Sequence, residues 1–178
     1  MIVIGLAGST ACGKDTVADF LKKEGFEKMA LSDMLRKLAK ENNMPIDAEN
    51  LFKLSFKYKD ELGEGFLGKM ALAEFRKKGW DKVCVVGLRR FGEWEESRKA
   101  DKAILIYVHT PLKVCFERVQ SRKRTGDKIS WEDFSRYEKD LSSVGLEKIK
   151  NGADYIIDNT GDLEKLKQLV ADLVPKLC

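Results

Sequence analysis

The chain has 178 residues, 43% of them hydrophobic and 35% charged, with a formal net charge of +4 at pH 7. That length suits one domain able to bury its own core, and the composition excludes a disordered or fibrous chain. No apolar run approaches the roughly 18 residues needed to span a bilayer, and Lys and Arg alternate with Asp and Glu, so neither a membrane span nor a dedicated nucleic-acid binder is expected.

The opening MIVIGLAGST lacks a basic leader and runs straight into a glycine loop, so it is expected to be a structural strand and not a signal peptide. Cys12, Cys84, Cys115 and Cys178 are scattered without C-x-x-C spacing, which fits reduced thiols in a cytoplasmic protein. Residues 8–16, GSTACGKDT, follow the phosphate-loop spacing G-x-x-x-x-G-K-[ST] except that Asp15 replaces the first hydroxyl. The helix after it, DTVADFLKK, sets Val17, Phe20 and Leu21 on one face. Further strands are predicted at Phe26 to Leu31, Lys82 to Val86, Ala103 to Val108 and Tyr155 to Ile157. Between them, Ser32 caps DMLRKLAKEN, a mostly helical region runs from Ala48 to Lys78, and Thr110 with Pro111 opens LKVCFERVQSRK. Asp162 starts the closing helix LEKLKQLVADLV. This alternation predicts βαβ units, a parallel sheet with helices on both faces, and one domain over residues 1–178.

Gly8, Ser9, Thr10, Ala11, Cys12 and Gly13 form a loop whose N–H groups converge on phosphate oxygens, at a helix start that adds about half a positive charge. Lys14 reaches the β- and γ-phosphates and Thr16 the α-phosphate of ATP or GTP. Asp15 offers a hard oxygen to Mg²⁺, or it only stabilises the helix start. Cys12 is either a dipole-activated thiol or an inert small residue.

Loops after the strands supply the remaining candidates. Asp33 and Arg36 lie on one side of a helical turn and can face an acceptor. Arg89 or Arg90 suits an acceptor phosphate, unless the pair is bonded to Glu93, Glu95 or Glu96. No acid closes the strand at Cys84 to Val86. Arg118, Arg122 and Arg124, in the basic stretch 118–128, form a lid over the triphosphate, a solvated helix end or a nucleic-acid patch. Asn159 to Gly161 make a turn that can offer backbone groups to a purine. His109 is expected to be structural.

VIGLAGSTACGKDTVADFL resembles the phosphate loops of phage-type deoxynucleoside monophosphate kinases. ADYIIDNTGDLEKLKQLV is similar to the adenine-loop strand and helix of dephospho-CoA kinases. LSDMLRK with VVGLRRFGEWEE resembles an adenylate-kinase-related branch, typically archaeal or bacterial, whose third strand ends in an acid before glycine; here that position is Val86. The resemblance to small P-loop nucleotide kinases covers nearly the whole chain. It implies a three-layer P-loop NTPase fold with a five-stranded parallel sheet, an acceptor-binding helical region at about 32–78 and an arginine-bearing lid at about 118–128. It also implies ATP- or GTP- and Mg²⁺-dependent transfer of a γ-phosphoryl group to a nucleotide-like acceptor, a nucleoside monophosphate or dephospho-CoA, by a monomer or homodimer. Asp33 serves as base or orienter only for an acceptor hydroxyl. The rivals are a nucleotide-binding protein without efficient transfer and a nucleic-acid-associated P-loop protein.

Overall fold

A strand that is apolar at successive positions must be covered on both faces, and β1 (Ile2–Ala7) is buried at five of its six residues. The computed structural model describes residues 1–122, 130–141 and 145–177. Around β1 lie β2 (Glu27–Ala30), β3 (Lys82–Leu88), β4 (Lys102–His109) and β5 (Tyr155–Asp158), in the order β2-β3-β1-β4-β5 with every pairing parallel. All five predicted strands are present, with ends displaced by two residues at most.

Alternate strand residues feed two cores. Ile4, Leu6, Val86 and Ile106 face a layer built by α1 (Lys14–Lys23), α6 (Leu112–Ser121), α7 (Trp131–Leu141) and α9 (Leu163–Leu177), which contribute Val17, Val119, Phe134 and Val170. Val3, Val85 and Leu105 face α2 (Leu31–Glu41), α4 (Phe66–Lys78), α5 (Phe91–Ser97) and α8 (Glu147–Asn151) through Leu31, Phe75, Trp94 and Ile149. The predicted 48–78 segment is two helices, α3 (Ala48–Leu62) and α4, because Gly63 takes φ +90° between them. Gly68 lets α4 lie directly on α5, since a Cβ there would collide with the Glu93 carbonyl.

Two expected caps are corrected. α2 begins at Leu31 directly off β2, so Ser32 sits inside the first turn and its hydroxyl accepts from Arg36 Nη1 at 3.0 Å. The N-cap of α6 is Pro111; Thr110 has its hydroxyl 2.9 Å from the Cys12 carbonyl. Asp162 does cap α9, accepting from the Lys165 N–H at 2.8 Å. The central position of β1 delivers the loop after it to the middle of the sheet's carboxyl edge, where open α/β sheets bind ligands.

Candidate active site

The loop between β1 and α1 turns through three positive-φ residues, Gly8 at +144°, Ala11 at +60° and Gly13 at +99°. Ala11 tolerates that conformation only where its surroundings over-determine it. They do so through Cys12, whose carbonyl accepts from Asn159 Nδ2 at 2.8 Å and lies 2.9 Å from Thr110 Oγ1. The Asn159 carbonyl in turn accepts from Arg118 Nη2 at 3.2 Å. Gly13 has no room for a side chain, because a Cβ would strike Asn159 Nδ2. Asn159 therefore fixes the loop from β5, and the Cys12 thiol is buried as an inert small group.

Lys14 is 6% exposed, and its ammonium donates to the Ser9 carbonyl at 2.9 Å. Burial pushes its pKa down and the nearby Arg89 charge adds to this, while Cys12, Asp15 and Glu138 oppose it. The two arginines at the end of β3 separate cleanly. Arg90 is 4% exposed, donates to Ser55 Oγ at 2.8 Å, pairs with Glu93 at 3.8 Å and lies 5.0 Å from the Phe56 ring centroid. It is a buried structural residue. Arg89 is half-buried, and its Nη1 is buried with no hydrogen-bond partner among the described residues.

Glu93 accepts from the Arg89 and Arg90 N–H groups at 2.7 and 3.1 Å. Burial raises its pKa, opposed by those two bonds. No acid ends β3: Val86 is in the core. Asp33 is 71% exposed and bonded to Arg36 at 2.7 Å, so these two acceptor candidates face each other on the surface. Asp15 is 68% exposed and lies 3.4 Å from Lys28 Nζ, which also bonds Asp19 at 2.9 Å. Among the described residues no group of three His, Cys, Asp or Glu side chains is set to hold a metal. One carboxylate still suits Mg²⁺ when the other ligands are phosphate oxygens and water. Asp15 fits that role if it exchanges Lys28 for the ion.

Beside the loop, Ala11, Thr16, Arg118, Arg122, Asn159 and Asp162 are among the residues lining an open cleft of about 330 Å³. Arg124 lies outside the described residues, as does the 123–128 part of the expected lid. His109 ends β4, and its carbonyl accepts from the Asn159 N–H at 2.8 Å.

The sequence reading missed Glu138 and Tyr107. Glu138, on α7, is 2% exposed and accepts the Thr10 N–H at 3.1 Å through Oε1. A signal for it exists: Trp131, Phe134 and Glu138 fall at i, i+3, i+7, which places a carboxylate on an apolar helix face. Tyr107 is buried at the carboxyl end of β4. Burial pushes its phenol pKa up.

Comparison with known proteins agrees with this geometry. A family model described as an AAA domain matches residues 4–140. A UPF0200 protein of Thermococcus kodakarensis is 31% identical, with 99% of each chain covered. The chain belongs to the AAA-domain family of that model and to the UPF0200 proteins. Among solved structures, a Thermus thermophilus protein superposes with a TM-score of 0.70 at 23% identity, over 99% of this chain and 98% of that one. Shikimate kinase from Acinetobacter baumannii, in complex with shikimate, gives 0.63 at 17%, over 99% and 92%. Dephospho-CoA kinase from Campylobacter jejuni gives 0.52 at 19%, over 99% and 97%. The fold is that of the small P-loop kinases. No helix among the described residues is long and apolar enough to cross a membrane.

Proposed function

We propose that the protein is a phosphotransferase that moves the γ-phosphoryl group of ATP or GTP to a small, nucleotide-like acceptor. The observation that carries this reading is a pair of cations at the loop: buried Lys14, and half-buried Arg89, whose Nη1 is buried and unpartnered among the described residues. A buried guanidinium N–H without a partner is costly, and a phosphate oxygen beside Lys14 would satisfy it.

The loop from Gly8 to Lys14 holds the triphosphate, with Thr16 at the α-phosphate and Asp15 as the protein ligand of Mg²⁺. Arg118 and Arg122, which line the cleft, close over the transferring group, and Arg89 grips the acceptor or the phosphoryl in flight. Asp33 and Arg36 contribute to acceptor binding once their mutual bond opens. The whole chain acts as one domain, with the acceptor on the helices of 32–78, and works as a monomer or homodimer.

The test is nucleoside diphosphate release from ATP and GTP with Mg²⁺, across AMP, CMP, dCMP, dGMP, UMP, dTMP, dephospho-CoA and shikimate, with Lys14→Ala as the blank. Acceptor-stimulated turnover that the blank lacks supports the reading and names the substrate. Nucleotide binding without stimulated turnover favours the second reading, a nucleotide-binding protein without efficient transfer, which the apolar Val86 near the end of β3 motivates.

A further inference from the structure

Among the described residues, only Thr10 Oγ1, Arg89 Nη1 and Glu138 Oε2 are buried side-chain polar atoms without a hydrogen-bond partner. Two belong to residues bonded to each other, since Glu138 Oε1 takes the Thr10 N–H at 3.1 Å, and the charges of Arg89 and Glu138 both act on Lys14. The three orphans thus belong to residues around the loop that carries Lys14, the residue that reaches the γ-phosphate.

An ionised carboxylate oxygen can only accept a hydrogen bond. Glu138 Oε2 therefore needs a donor, which neither a phosphate acceptor nor a nucleotide's phosphate chain supplies. A phosphate placed there would also meet like charge. A hydroxyl fits both ends: its hydrogen goes to Glu138 Oε2 and its lone pair accepts from Thr10 Oγ1. Arg89 Nη1 is left for an oxygen of the phosphoryl group. Asp33, the residue the sequence offers for the same task, is exposed and already bonded to Arg36.

Resting on the phosphotransferase reading above, we propose that Glu138 is the catalytic base and that the acceptor is an alcohol rather than a phosphate. The acceptor O–H gives its proton to Glu138 Oε2 while its oxygen bonds the γ-phosphorus. The bond from that phosphorus to the β,γ-bridging oxygen breaks, and the electron pair leaves with the nucleoside diphosphate. Water entering the same place attacks the γ-phosphorus by the same steps, giving a proton to Glu138 Oε2 and releasing inorganic phosphate and nucleoside diphosphate. Glu138 is 2% exposed, so the acceptor must open its own path to Oε2 when it binds.

The test uses the full chain with Glu138→Gln, which keeps an oxygen for the Thr10 N–H, and Glu138→Asp, which keeps the charge but shortens its reach. Two readouts are taken: the affinity for fluorescent ATP and ADP analogues, and the rate of transfer to alcohol acceptors and to water. Glu138→Gln should tighten ATP relative to ADP by about threefold or more, as a negative charge beside the γ-phosphate is removed. It should slow transfer by about a hundredfold or more. Glu138→Asp should leave the ATP-to-ADP ratio near wild type and lose rate. Wild-type rates in Glu138→Gln, a preference for phosphate acceptors, or equal loss of ATP and ADP binding overturns the inference while leaving the phosphotransferase reading intact. No turnover by wild type with any acceptor or with water overturns both.

Discussion

Arg89 and Arg90 are neighbours in sequence with opposite tasks, and the difference is burial. Arg90 neutralises Glu93 inside the protein, so Arg90→Ala strands a buried carboxylate and should cost about 3–5 kcal/mol in denaturant unfolding. Arg89→Ala removes a cation with an orphaned donor. Its stability should stay within about 0.5 kcal/mol of wild type while triphosphate affinity falls at least about tenfold by titration. Lys14 has the reverse balance of stability and function. Its pKa is lowered in the folded state, so its contribution is favourable above the unfolded value near 10.4 and is lost as pH falls through the folded value. At pH 7, below the unfolded value, burying this side chain therefore costs stability. Lys14→Met should abolish nucleotide binding yet raise the melting temperature, with about 2–4 °C for each kcal/mol relieved. At this scale the sequence was legible for the loop, because spacing alone brings Gly8, Gly13 and Lys14 together. For the arginine pair a bond to Glu93 was legible as an alternative, but which arginine is buried, and the place of Glu138 on the loop, were not, because Ser55 and Thr10 lie far along the chain.

Between elements, close approach matters more than propensity. α4 and α5 touch at Gly68, and Gly68→Ala, which would gain helix propensity in isolation, should instead lower stability by about 1–3 kcal/mol in a urea melt. The strands could be read because apolar runs covered on both faces carry a signal of their own. The caps could not: Ser32 and Thr110 have the right chemistry for capping, but α2 leaves β2 without a turn and the Thr110 hydroxyl is claimed by the phosphate loop. The clamp from β5 is the clearest contact between elements. Asn159→Ala frees the Cys12 carbonyl and should loosen nucleotide binding severalfold, measured by titration, because its amide holds the loop.

For the molecule as a whole, the parallel order β2-β3-β1-β4-β5 means that almost every stabilising pairing joins distant stretches of chain. Fold class and layering followed from the alternation of apolar strands with helix-period segments, whereas the order of the strands was not read from the sequence. The Asn159 amide reaches Cys12 across 147 positions. During synthesis, the full G-x-x-x-x-G-K spacing leaves the ribosome within the first tenth of the chain, yet its clasp is delivered only when the last strand emerges. A nascent polypeptide stopped before residue 159 would carry the motif without the restraint that shapes it. Such a product should hold nucleotide at least severalfold more weakly than the full chain.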